Sequence, residues 1–186
     1  MLRRKNKVID KQIKDIPDSR NSYIVDSSSL PLSKTELKNL LVKFEEKKSD
    51  LMAQKDREQI IDLWKTCNLT RPWNDPNKDF DRKNGVGEDL FIILEYENKI
   101  IGTVMGGYDG HRGIMNYLAV SPDFRGKGFG KMLVEEVENK LKQLGCPKVN
   151  LLVRSDNVEV SNFYESIDYK KQDDVYVFGK RLIADD

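Results

Sequence analysis

Three glycines at alternate positions, Gly126, Gly128 and Gly130 in the stretch VSPDFRGKGFGKML (residues 120–133), constrain this chain more than any other feature. The apolar run YLAVS leads into them, and Leu133, Val137, Leu141 and Leu144 follow at helical spacing. The glycines therefore sit in the turn between the end of a strand and the start of a helix. A turn alone needs one glycine. Three remove the Cβ atoms that would hold a ligand away from the backbone. The first turn of a helix offers unpaired N–H groups and the positive end of its dipole. Arg125, Lys127 and Lys131 add formal charge at the same place. A phosphate or pyrophosphate is the expected ligand. The two commonest phosphate loops are excluded by spacing. A dinucleotide fold needs Gly-x-Gly-x-x-Gly after an early βαβ unit. A P-loop needs four residues between its glycines and a Ser or Thr after the Lys, where Met132 follows Lys131 here.

The elements around the loop read as an α/β (α+β) domain in the order β-α-β-β-β-α-β-α-β, with a helical turn before the second strand. LMAQ (residues 51–54) is a short first strand, and Asp56 caps a helix carrying Ile60, Leu63, Trp64 and Cys67. DLFIILEY and IIGTVMGGY form a hairpin through Glu97, Asn98 and Lys99, and residues 109–113 turn the chain again into IMNYLAVS. Gly145 and Pro147 stop the long helix, KVNLLV is a buried strand, NVEVSNFYESI a short helix and DVYVFGK a last strand. Before this domain lie a flexible arm (residues 1–32) with a serine run and two prolines, and an amphipathic helix (33–47) with Ser33 and Glu36 at capping-box spacing. The domain itself spans 48–186.

With 186 residues and a net charge of +1, the chain is one domain with an appendage, and no global field suggests nucleic acid or an anionic membrane as partner. No apolar run nears the roughly 20 residues that cross a bilayer, and MLRRKNKVID lacks a secretory h-region, so a cytoplasmic protein is expected. Cys67 and Cys146 have no metal-type spacing, and the single histidine, His111, excludes a histidine-based cluster, so no metal is expected.

The residues 125–130, RGKGFG, resemble the Arg/Gln-x-x-Gly-x-Gly/Ala acyl-CoA loop of the GNAT acetyltransferases, and YLAVSP resembles the strand that enters it. Asn157, Val160, Phe163, Tyr164, Asp168 and Tyr169 match a second segment of that family, Asn-x-x-Ala-x-x-Phe-Tyr-x-x-x-Gly-Tyr, with Val for Ala and Asp for the turn Gly. RPWNDP, GTVMGGYDGHRG and GCPK further resemble a bacterial YpeA-type subgroup. The resemblance covers residue 48 to the C-terminus. It implies a GNAT fold, a mixed and mostly antiparallel sheet flanked by helices, with an N-terminal extension.

It also implies an acetyl-CoA-dependent N-acetyltransferase acting on an amine by direct transfer in a ternary complex. Backbone N–H groups of Gly126, Lys127, Gly128, Phe129, Gly130 and Lys131 would hold the pyrophosphate, with Arg125 among the cofactor-binding residues beside them, and Asn157 would hold the pantetheine arm. Leu118 and Val120 would bind the cofactor, with the N–H of Val120, at the splayed end of its strand, facing the thioester carbonyl oxygen. Tyr164 would protonate the departing thiolate. An alkylammonium acceptor has a pKa near 10.4, so deprotonation at neutral pH costs about 4 kcal/mol and calls for a base. Asp109 and His111, on the hairpin bordering the acceptor groove, rank ahead of Glu95 and Asp75. A non-catalytic acyl-CoA-binding module is the alternative, motivated by Val160 and the absence of an obvious base. A C-terminal edge strand leaves a homodimer open.

Overall fold

A computed structural model of the protein describes residues 54–184. One sheet holds four strands in the order β1-β2-β3-β4: β1 (Phe91–Tyr96), β2 (Lys99–Tyr108), β3 (Gly113–Val120) and β4 (Val149–Leu151). The first three are antiparallel and β4 runs parallel to β3, so the mixed, mostly antiparallel sheet is as expected. Glu97 and Asn98 join β1 to β2 with φ of 48° and 63°, the left-handed pair that lets a two-residue turn follow the strand twist. A parallel pair cannot be closed by a hairpin, and a long helix makes the crossover from β3 to β4.

Helices cover both faces. On one face lie α1 (Gln54–Thr66) and α2 (Pro76–Lys83), where Ile60, Leu63, Trp64 and Phe80 pack on Phe91 and Ala119. On the other lie α3 (Phe129–Gln143) and α4 (Val158–Ser166), where Leu133, Val134, Val137, Leu141 and Tyr164 pack on Ile92, Leu94, Val104 and Met115. Burial on both faces explains why β1 reads as a continuous apolar run rather than an alternating one. Each fully buried Leu, Val or Phe contributes about 1.5–3 kcal/mol.

The expected helical turn before the sheet is α2. Asp75 caps it, its Oδ1 accepting from the Asn77 N–H at 2.9 Å, and Pro76 occupies the first turn, where a missing N–H costs nothing. At the sheet edge of this helix, Lys83 is buried and donates to the Gly106 carbonyl at 2.7 Å, a group that β1 is too short to reach. Burial holds the Lys83 amine below its usual pKa, with Glu88 opposing that shift.

The structure departs from the sequence reading in two places. Asp56 lies inside the first turn of α1, two residues past its start, where its charge complements the helix dipole rather than capping it. DVYVFGK forms no strand: residues 174–180 have no regular secondary structure and lie off the sheet, with Tyr176 89% and Phe178 93% exposed. Strand propensity supplied the pattern, but no neighbouring strand among the described residues pairs with it. The arm 1–32, the helix 33–47 and residues 51–53 of the expected first strand lie outside the described residues.

Candidate active site

β3 and β4 pair only through residues 113–115 against Val149–Leu151. Past Met115 the two strands part, leaving the edge of β3 from Asn116 to Val120 without a strand partner among the described residues. A β-bulge at the parting point puts one extra residue into β3 between its pairs Asn116–Met105 and Ala119–Thr103, and bulges bend and twist the strand that carries them. Tyr117, within the bulge, has φ of 51°. Left-handed backbone costs a non-glycine residue about 1–2 kcal/mol, so something must hold it. The indole N–H of Trp64 donates to Thr103 Oγ1 at 3.0 Å, and the Thr103 hydroxyl donates to the Tyr117 carbonyl at 3.0 Å. The Trp64 ring stacks on Tyr117 at 4.0 Å, and the Tyr117 hydroxyl donates to Asp79 Oδ2 at 2.5 Å. Sequence reasoning missed this clamp, because Tyr117 and Thr103 read simply as strand residues.

The glycine loop closes one end of the parted strands. After a single 3-10 turn (Pro122–Phe124), Gly126 and Gly128 take φ of 71° and 80°, and Gly128 opens α3 with no side-chain hydrogen bond capping it. The first-turn N–H groups of α3 thus have neither an intrahelical acceptor nor a side-chain cap. A Cβ placed on Gly126 would meet nothing within 4 Å, so the loop has open space in front of it. An uncapped donor set facing open space fits the pyrophosphate of a bound nucleotide. Arg125 turns back on the strand: its Nε donates to the Val120 carbonyl at 3.1 Å and its Nη2 lies 3.5 Å from Cys67 Sγ. Lys127 donates to the Asp123 carbonyl at 3.0 Å and lies over the Phe124 ring, and Lys131 pairs with Glu135.

α4 forms the facing wall. Asn157 caps it, Oδ1 accepting from the Val160 N–H at 3.2 Å, which leaves the amide NH2 as the outward donor. Val160, Phe163, Leu118, Val120 and Val153 all pack against the same core cluster, and the Phe163 ring lies 3.4 Å from where a Cβ on Gly130 would stand. The loop and α4 are therefore in contact. Tyr164 is 8% exposed, with Phe163 and Tyr169 edge-on at 5.1 and 5.4 Å. Burial pushes its hydroxyl up to about 12. Tyr169 is also raised, by burial and by donating to Glu138 Oε1 at 2.8 Å. Asp168 takes φ of 71°, the conformation for which a glycine was expected at that turn.

The carboxylate and histidine candidates lie elsewhere. Asp109 and His111 occupy the β2–β3 hairpin, at the Gly113 end of β3; five strand residues, about 17 Å, separate Gly113 from Leu118. Asp109 Oδ1 accepts from the N–H groups of Arg112 (2.7 Å) and His111 (2.8 Å), and these bonds hold its pKa below the usual carboxylate value. His111 is exposed on the same turn. Asp75 is similarly lowered by the Asn77 N–H that it caps. Glu95 is buried on β1, two strands from β3. Leu118, Val120 and Tyr164 thus share one core cluster with Phe163, which lies against Gly130 at the start of α3, whereas Asp109 and His111 sit on the β2–β3 hairpin, Asp75 at the start of α2 and Glu95 on β1. Among the described residues no cluster of His, Cys, Asp or Glu could hold a metal ion, and no helix is long and apolar enough to cross a membrane.

Comparison with known proteins gives the family and the fold. Residues 57–169 match the model of the acetyltransferase (GNAT) family. An acetyltransferase of Yersinia enterocolitica is 52% identical over 135 residues, covering 73% of this chain and 95% of that protein. One of Sodalis glossinidius is 50% identical over 130 residues, covering 70% and 92%. Among solved structures, glucosamine-6-phosphate N-acetyltransferase from Arabidopsis thaliana superposes with a TM-score of 0.51 at 25% identity, over 69% of this chain and 92% of that one. AAC(6')-Iy in complex with a CoA bisubstrate analogue gives 0.56 at 18% identity, over 69% and 94%, a likeness of fold. The protein is an acetyl-CoA-dependent N-acetyltransferase, and the chain belongs to the GNAT family.

Proposed function

We propose that the acceptor is a primary amine, of a small molecule or a protein, and that the acetyl group passes to it directly within a ternary complex. The carrying observation is the parting of β3 from β4 beyond Met115, with an uncapped, glycine-lined helix start at its end. The N–H groups of residues 126–131 hold the pyrophosphate, and the Asn157 amide donates to the pantetheine arm. An N–H of Leu118 or Val120, freed from strand pairing, donates to the thioester carbonyl oxygen as charge develops there. The amine, once deprotonated, attacks the carbonyl carbon; its N–C bond forms, the C–S bond breaks, the thiolate takes a proton from Tyr164, and the proton that the new amide nitrogen sheds returns through water to the Tyr164 oxygen. With its hydroxyl pushed up to about 12, Tyr164 keeps that proton across neutral pH until the thiolate appears. The proton of the acceptor ammonium leaves through water in the cleft, because Asp109 and Asp75 are bound to their own turns.

Initial rates of CoA release, with acetyl-CoA and amine varied together, test the ternary complex. Intersecting double-reciprocal lines are expected. Parallel lines would mean an acyl-enzyme and overturn direct transfer.

A further inference from the structure

An open cavity of about 620 Å3 lies between α2 and the C-terminal segment, on the face of the sheet opposite α3. That size falls in the roughly 300–1,000 Å3 range of small-ligand sites. Asn74, Asp79 and Arg82 form one wall; Lys180, Arg181 and Ile183 form the other. Three cationic side chains thus face one carboxylate, in a chain whose total net charge is only +1. Arg82 pairs with Asp79 at 3.0 Å, while Arg181 donates to Asn74 Oδ1 at 3.3 Å. Neither Lys180 nor Arg181 forms an ion pair with a carboxylate among the described residues. The surplus positive charge therefore sits on the C-terminal wall, one ammonium beside one guanidinium, a pairing suited to carboxylate or phosphate oxygens.

The cavity is tied to the cleft by one side chain. Asp79, in its wall, accepts the Tyr117 hydroxyl at 2.5 Å, and Tyr117 is the bulge residue that precedes Leu118. Its α2 wall is therefore one hydrogen bond from β3, through Asp79, while Lys180 and Arg181 belong to the C-terminal wall. We propose that the acceptor amine carries an anionic group, a carboxylate or a phosphate, which Lys180 and Arg181 hold in this cavity while its amino end points toward β3. Asp79 and Tyr117 are positioning residues: the carboxylate orients the ammonium, and the tyrosine fixes the carboxylate. The identity of this molecule as an acceptor rests on the amine reading above; the affinity of the cavity for the anion does not.

Matched pairs isolate the charge: alanine against alaninamide, and phosphoethanolamine against ethanolamine. Each is titrated calorimetrically into the full-length protein with CoA present, and CoA release from acetyl-CoA is measured in parallel. The amide of an amino acid loses its ammonium proton more readily than the acid, so any bias of reactivity runs against the proposal. The expected result is that the anionic member of at least one pair binds and reacts at least tenfold better. Arg181→Gln or Lys180→Gln should each erase most of that preference, raising KM about tenfold with kcat little changed and the far-UV spectrum intact. Arg181→Lys should restore part of it. Neutral partners that match or exceed the anions, anions that do not bind, or a preference that survives both variants would overturn the proposal. Binding of the anion with no CoA released would keep the site and sink the amine reading; release with neutral amines alone would do the reverse.

Discussion

Tyr164 bears two separable consequences of its burial. In the proposed role of proton donor to the thiolate, it should be worth about a hundredfold in kcat, the low end for acid catalysis, because a thiolate is a tolerable leaving group. Tyr164→Phe is expected to slow turnover by that factor while leaving acetyl-CoA affinity, measured by calorimetry, within about twofold. The second consequence is alkaline. The fold holds the neutral hydroxyl, so its contribution is whole below pH 10 and disappears as pH rises from 10 through about 12. Two units amount to about 3 kcal/mol at most. Thermal denaturation across that window should therefore fall less steeply for Tyr164→Phe than for the parent chain. An equal slope would mean that the hydroxyl is wetter than its 8% exposure implies.

At the scale of elements, the bulge in β3 and the glycine loop that follows it are the two features on which the proposed acetyl-CoA site rests. Gly128→Ala forces a Cβ onto a φ of 80°, costing about 1–2 kcal/mol of stability, and sets a methyl among the phosphate donors. A rise of at least tenfold in KM for acetyl-CoA is expected, with a far smaller change in the KM of the amine. Thr103→Val removes the buried hydroxyl that accepts from the Trp64 indole N–H and donates to the Tyr117 carbonyl, a loss of about 2–3 kcal/mol readable as a lower urea midpoint. The loop was legible in the sequence because three glycines between an apolar run and a helical stripe have few other uses. The hairpins were legible because their turns are short and flanked by apolar runs. The bulge was not, since a buried threonine and tyrosine fit a regular strand equally well until their partners 39 and 38 residues away are known. Asp109 illustrates the same limit: its chemistry suits a base, but only the length of β3 reveals how far it stands from Leu118.

For the whole molecule, the C-terminal segment is where the reading of the sequence as a strand and the observed chain part company. Val175, Tyr176, Val177 and Phe178 have strand character, yet lie 60–93% exposed. The outer edge of β4 has no strand beside it among the described residues, and Leu152 and Val158 near it are exposed as well. Were residues 175–178 of a second copy to add to this edge, each would find the pairing it lacks, which is the one dimer the exposed edge suggests. Sedimentation equilibrium should give twice the chain mass, falling to one with Phe178→Asp; a monomer at every concentration would exclude this arrangement. Residues 1–32 lie outside the family match, which starts at residue 57, so their deletion should leave acetyl-CoA binding unchanged. The measurement closest to the central claim is mass spectrometry of the products formed from acetyl-CoA and a pool of amines, amino acids and peptides, with Tyr164→Phe alongside. An amine heavier by one acetyl group, matched by free CoA and much reduced in the variant, is the predicted result. Acetyl-CoA that binds and remains intact with every acceptor would contradict it, and would make the cleft a sensor of the cofactor rather than a catalyst.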